Sequence, residues 1–425
     1  MILLNKLQVF KSDETLRNGV FFSIYAFVGR GISFLLLIVL ANYILPADYG
    51  KLSLFNTVVM LLGYFMAFST SGYFGVSFFK ENEETFHQDF TSIVLLLLIT
   101  VLITSVVFIL FSSELTLLAG INTSLLWVAL AIAALNILFQ LHMDYYRLKE
   151  QVGLYGIMNI GNALLNAIIS LGLVIGFAQG WMGRVNTQLV VTLLFGIIAI
   201  VFFKNKSFFD FNLRRGRLKL LLCWGLPQIP HMATTWIRQG CDQYIINYNY
   251  TTYEVGLFSF SLNLVSIITM IGMAFNSSNS VTIFKILSDK CENNKLTLLK
   301  NNTRRLFLVY LITTILIIIA SVIFVPLILP QYVEGVPYFV VLSVYGFFVC
   351  LYFLYCNYLF YYEHTKELML ITFGTSMLHF VLSFFLTKYS LFFTASIYIF
   401  TQFICVGLVY FCSRRYLNKY LVCNA

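Results

Sequence analysis

Twelve stretches of this chain stay apolar for about twenty residues or more, and that pattern restricts its fold more than any other property. They cover 20–45, 52–79, 91–111, 124–146, 153–177, 185–203, 222–247, 256–284, 306–329, 337–362, 368–386 and 391–412. A helix of about 20 mostly apolar residues crosses the hydrocarbon of a bilayer. Only helices and closed barrels satisfy their own backbone there, and runs this long without alternation exclude barrel strands. The expected fold is all-α and integral to the membrane, with twelve transmembrane helices. The charged fraction agrees: 11% of the 425 residues, against about 25% in a soluble domain, is too little to cover a water-facing surface.

Lysine and arginine set the expected orientation. With the N-terminus inside, the inner segments hold 22 of the 27 basic residues, with Lys51, Arg184 and Lys388 in outer loops and Arg30 and Arg238 inside the membrane. Such a bias places both termini in the cytoplasm by the positive-inside rule. The net charge of +9 therefore reflects topology, and no nucleic-acid partner is expected. No loop is long enough for a folded extramembrane domain, which weighs against an enzyme with a soluble catalytic part. Lys6, Lys11 and Arg17 precede a first span too long and too polar for a cleaved signal core. The eight cysteines show neither CxxC pairing nor zinc-ligand spacing. No Walker loop, HExxH motif or nucleophile elbow occurs, so no cofactor or metal is expected.

The two halves share short motifs. ADYGKLS at 47–53 aligns with YEVGLFS at 253–259 at an offset of 206, pairing Asp48 with Glu254, Gly50 with Gly256 and Ser53 with Ser259. YYRLKE at 145–150 matches YYEHTKE at 361–367 at an offset near 216. These matches indicate duplication of a six-helix unit. Since six is even, the halves run in the same direction, a parallel repeat of the kind used by transporters with a site between lobes. The expected organisation is an N-terminal lobe over 1–203, a basic cytoplasmic linker over 204–221, a C-terminal lobe over 222–412 and a cytoplasmic tail over 413–425.

Ionisable groups at membrane depth are costly and mark interior or cavity positions. Arg30 lies about 15 Å into the first span at 1.5 Å per residue, on a face with Gly19, Ser23, Ala26 and Ser33. The seventh span carries Gln228, His231, Thr235, Arg238 and Asp242 at spacings of three and four, one polar stripe, with Pro227 and Pro230 permitting a bend. The fourth carries a weaker stripe of Asn136, Gln140 and Asp144. The candidate substrate-binding residues are Arg30, Arg238, His231, Gln228 and Thr235; the candidate ion-coupling residues are Asp242 and Asp144. Structural readings stand beside these. Arg238 and Asp242, four apart, can neutralise each other; His231 suits a hydrogen-bonded interior; Asp144 can pair with Arg147 or Lys149. His142 and His379 are assigned to packing, and the many aromatic residues mostly to lipid and interface.

LANYILPADYGKLSLF at 40–55 and GLPQIPHMATTWIRQGCDQYIINYNYTTYEVGLFSFS at 225–261, with Gly225, Pro227, Asp242, Glu254 and Gly256 at signature positions, resemble bacterial polysaccharide exporters of the O-antigen flippase (Wzx-like) type. The resemblance implies the multidrug/oligosaccharidyl-lipid/polysaccharide exporter fold, two six-helix bundles in a V around a central cavity. It implies movement of an undecaprenyl-diphosphate-linked oligosaccharide, such as an O-antigen unit of lipopolysaccharide, between leaflets of the bacterial inner membrane by alternating access. Arg30 and Arg238 would receive the diphosphate, Asp242 would couple a proton or sodium gradient, and a polysaccharide polymerase and chain-length regulator would be membrane partners. A cation-coupled multidrug exporter of the same fold and an integral-membrane polymerase or acyltransferase are the competing readings.

Overall fold

The computed structural model describes residues 14–68, 70–210, 215–226, 229–288 and 294–422, and those residues contain no strand. The helices are α1 (Glu14–Ala41), α2 (Pro46–Ala67), α3 (Thr70–Lys80), α4 (Glu83–Leu110), α5 (Ser112–Ala119), α6 (Thr123–Leu148), α7 (Val152–Leu171) and α8 (Gly180–Asn205). They continue as α9 (Arg215–Gly225), α10 (Ile229–Gln239), α11 (Cys241–Asn249), α12 (Thr252–Ser288), α13 (Lys295–Ile328), α14 (Val336–Tyr361), α15 (Thr365–Leu386) and α16 (Leu391–Val422). Among the described residues eleven helices are long and apolar enough to cross a membrane, counting α2 and α3 as one and extending α7 to Gly176. The chain is a multi-pass membrane protein. The expected seventh span is the exception: it takes in the end of α9, then α10 and α11, with α10 giving way to α11 at Gly240. Arg184, expected in a loop, lies inside α8 because that helix starts at Gly180.

The chain forms two compact units, one of 1–44 and 54–232, the other of 45–53 and 233–425. In the first unit, α1 packs on α7 and α6 on α8. Phe74, Phe90 and Phe203 are fully buried, with Phe90 4.3 Å from Phe203 and 5.3 Å from Phe208 between ring centres. Among the described residues nine large aromatic side chains are fully buried, so aromatics fill cores as well as the lipid-facing and interfacial positions expected of most of them. The segment after α8 is tied down by Thr91, whose hydroxyl accepts from the Asp210 amide at 2.9 Å. Short α9 is held against this unit by Arg217, whose Nη1 donates to Glu81 at 3.0 Å and lies 3.6 Å from buried Asp89. Glu81 and Asp89 together hold the Arg217 proton more tightly than usual. At the end of α9, Gly225 presses on the break after α2: a Cβ there would meet the Phe68 carbonyl oxygen at 2.5 Å, and Phe68 itself has φ 45°.

The repeated motifs adopt repeated structure. After α6, Glu150 has φ 54°, and the Gln151 amide donates to the Tyr146 carbonyl at 2.8 Å. After α14, Glu363 has φ 61°, and the His364 amide donates to the Leu359 carbonyl at 2.8 Å. Both helices end in the same left-handed cap, with the amide beyond it reaching back five residues. The caps align Glu150 with Glu363, an offset of 213, which corrects the sequence alignment of the YY pairs near 216.

Inside the second unit, the start of α2 crosses the start of α12 at Gly50 and Gly256. A Cβ on Gly50 would fall 1.9 Å from the Thr252 carbonyl oxygen, and one on Gly256 would fall 1.8 Å from the Pro46 carbonyl oxygen. Pro46 and Thr252 are themselves 206 residues apart, so the contact is reciprocal. Removing both side chains lets two backbones touch, as at small-residue crossings in membranes. Nearby, Asn263 donates to the Tyr49 hydroxyl at 2.7 Å. Each glycine-to-alanine substitution should destabilise the protein by about 1–3 kcal/mol through overpacking. Since the two glycines serve one contact, the G50A/G256A double variant should lose less than the sum; thermal unfolding of purified protein measures this, and strict additivity would refute it.

Candidate functional site

The break at Gly240 positions two charges. Arg238 occupies the last turn of α10 and Asp242 the first turn of α11. A helix C-terminus favours a cation and an N-terminus an anion, so each charge sits at the end that suits it. They do not pair with each other. Arg238 instead donates from Nε to the Ser376 hydroxyl at 2.6 Å, from Nη1 to Gln402 and from Nη2 to Thr375. These partners come from α15 and α16 and are all neutral. The guanidinium has five N–H donors, so among the described residues two remain after these three bonds and its charge meets no carboxylate.

Asp242 is 1% exposed. Its Oδ2 lies 2.7 Å from His379 Nε2, and its Oδ1 accepts from the Ser383 hydroxyl. His379 is equally buried, and its Nδ1 is 3.2 Å from the Thr401 hydroxyl oxygen. The Tyr398 ring stands edge-on to the imidazole at 4.6 Å. The packing role expected for His379 is therefore corrected: it is the main polar partner of Asp242. Only chain folding reveals this, since the two residues are 137 positions apart and a lone histidine on an apolar helix carries no partner signal. His142, assigned likewise, does pack, lying 4.3 Å from Phe202 and 4.5 Å from Tyr146.

The other candidates divide. Thr235 is half-buried one turn before Arg238. His231 belongs to α10, but its side chain, like Gln228, lies outside the described residues. Arg30 is exposed on α1 in the first unit, while adjacent Gly29 is buried where a Cβ would meet Asn159 Oδ1 at 2.4 Å. Asp144, 3% exposed, accepts from Arg147 at 2.8 Å, from Gln140 at 3.2 Å and from the Ser71 hydroxyl. Its carboxylate thus ties α3 to α6, the first bond being the expected pairing with Arg147. No sequence pattern had singled out Ser71, which meets Asp144 only through the turn that ends α2.

A model of the family described as polysaccharide biosynthesis protein matches residues 15–284, well over half of the chain. The chain belongs to that family. No curated protein matches this chain. Among solved structures it is similar to the lipid II flippase MurJ in an inward closed conformation, with a TM-score of 0.75 and 13% identity over 93% of this chain and 87% of that one. It is also similar to an inward-facing multidrug resistance MATE family transporter of the MOP superfamily, with a TM-score of 0.66 and 11% identity over 91% of this chain and 94% of that one. At such identities the likeness establishes the fold, which is the exporter fold shared by MATE and MurJ.

The buried pair yields a stability test. Replacing His379 alone by leucine strands a buried carboxylate and should cost about 3–5 kcal/mol, while adding Asp242→Asn should recover part of that loss. Thermal unfolding of the three variants measures it; a double variant worse than H379L would contradict the pairing.

Proposed function

We propose that this protein is a flippase that carries a lipid-diphosphate-linked oligosaccharide across the bacterial cytoplasmic membrane, the glycan being a repeat unit of a surface polysaccharide. Arg238 carries the reading. A fixed positive charge is held within a membrane unit by three neutral side chains, with two N–H groups left to donate. Burying an unpaired charge is expensive, so such an arginine is understandable where an anion visits. Guanidinium is a permanently charged fork that fits phosphate oxygens. In the first unit, Arg30, exposed on a helix face with Ser23 and Ser33, is a further cation with the same chemistry. Family membership supports the substrate class, and the exporter fold supports a transporter over an enzyme.

The same reading assigns energy coupling to protons through Asp242 and His379. The Thr401 hydroxyl donates to the Ile397 carbonyl at 2.7 Å, so its oxygen faces Nδ1 as an acceptor and Nδ1 carries hydrogen. A further proton then lies between Nε2 and Asp242 Oδ2, since two lone pairs would not approach to 2.7 Å. This arrangement is a loaded proton site, and its discharge would leave Asp242 and His379 to separate.

In cells lacking this gene, surface polysaccharide should disappear and lipid-linked oligosaccharide accumulate. Wild-type protein should reverse both effects, whereas R238A and R238K should restore less than about a tenth of the surface glycan. Unchanged surface glycan in the deletion strain, with no second exporter, defeats the proposal; altered drug sensitivity alone would favour a multidrug exporter. In proteoliposomes an imposed pH gradient should drive wild-type transport without sodium, and D242N should abolish that response. Sodium dependence with no effect of pH would refute proton coupling.

A further inference from the structure

The first unit gathers carboxamides at membrane depth on a face that neither diphosphate binding nor proton coupling uses. Asn56 is exposed on α2, although Leu52–Phe55 before it and Thr57 and Val58 after it are all buried. Gln188 of α8 donates its Nε2 to Asn56 Oδ1 at 3.0 Å. A carboxamide holds one acceptor oxygen and one donor NH2 group. A single bond between two amides leaves one NH2 and one oxygen over at the exposed edge, whichever way the amides are turned.

One turn earlier on the same face of α8, Arg184 donates its Nη1 to Asn166 Oδ1 at 3.0 Å and to the Ser170 hydroxyl at 2.9 Å. Asn166 in turn donates to Asn162, at 3.1 Å to its carbonyl oxygen and 3.3 Å to its Oδ1. Asn162, Asn166 and Ser170 stand four apart, so they form one row along α7. Among the described residues, the Nδ2 donors of Asn162 have no protein acceptor.

Asn56 and Gln188 lie four and three residues inside the expected spans that begin at 52 and 185, about 6 and 5 Å at 1.5 Å per residue. At that depth an amide edge left facing lipid costs several kcal/mol, and amides that merely join helices are buried between them. Asn56 is exposed, so this edge suits water or a hydroxylated ligand. A sugar hydroxyl both donates and accepts, which is the complement of a paired NH2 and carbonyl oxygen.

We infer that this face of the first unit is a glycan subsite, in which Asn56, Gln188 and Asn162 hydrogen-bond sugar hydroxyls while Arg184, Ser170 and Asn166 hold Asn162 in place. The subsite rests on the flippase reading and adds to it the part of the molecule that recognises sugar as distinct from diphosphate.

Binding to full-length protein in lipid nanodiscs tests it with two probes: bare undecaprenyl diphosphate, and the glycan-bearing carrier extracted from cells lacking the gene. Wild type should bind the glycan-bearing carrier more tightly. N56L/Q188L and N162L should each lose about tenfold toward it and bind the bare carrier as wild type does, which also certifies their folding. N56Q should retain more affinity than N56L. Wild-type affinity of the variants for both probes, or an equal loss toward both, would overturn the subsite while leaving the flippase reading standing. Failure of wild type to bind either probe would overturn both.

Discussion

A charged side chain in hydrocarbon has no water to return to, and the chain meets that constraint at Gly240. A continuous helix would set Arg238 and Asp242 one turn apart, close enough to cancel each other. Breaking the helix gives each charge a helix end of opposite polarity and turns them toward separate partners on α15 and α16. The cost is a tenth and an eleventh helix too short to cross a membrane by themselves. The arginine is thereby balanced by hydroxyls and an amide, and the aspartate by an imidazole. Had the two formed one ion pair, neither would be available for chemistry.

The polar chemistry of the two units differs in where its charges lie. In the second it comprises half-buried Arg238 beside buried Asp242 and His379, along with the carboxamide pairs of Asn302 with Asn279 and Asn357 with Asn276. In the first it is mostly neutral and partly exposed, made of carboxamides on α2, α7 and α8 with Arg184 as organiser, while its buried carboxylates, Asp89 and Asp144, secure α3 and α9.

Most of the scaffold was legible in the sequence because a bilayer demands length and apolarity, and both are local properties. Eleven spans follow from them directly. The seventh differs, since α10 ends at Gln239 and α11 begins at Cys241 with Gly240 between them, a break that apolar length alone does not mark. Arg184 was misplaced because an arginine near a span edge reads as a loop until its partners, Asn166 and Ser170 on the preceding helix, are known. His379 was missed for a related reason: its meaning depends on Asp242, far away in the chain. By contrast, the acid-x-Gly motif was legible twice over, and its two copies prove to be partners in space.

That meeting of Gly50 with Gly256 constrains heredity as well as packing. Copies of a duplicated segment normally drift apart freely once each has its own neighbours. Here each copy is the other's neighbour, and a side chain acquired by either would strike the carbonyl presented by its sibling. Changing both together relieves neither clash, since each new side chain meets a backbone carbonyl, so both positions are confined to glycine by the same crossing.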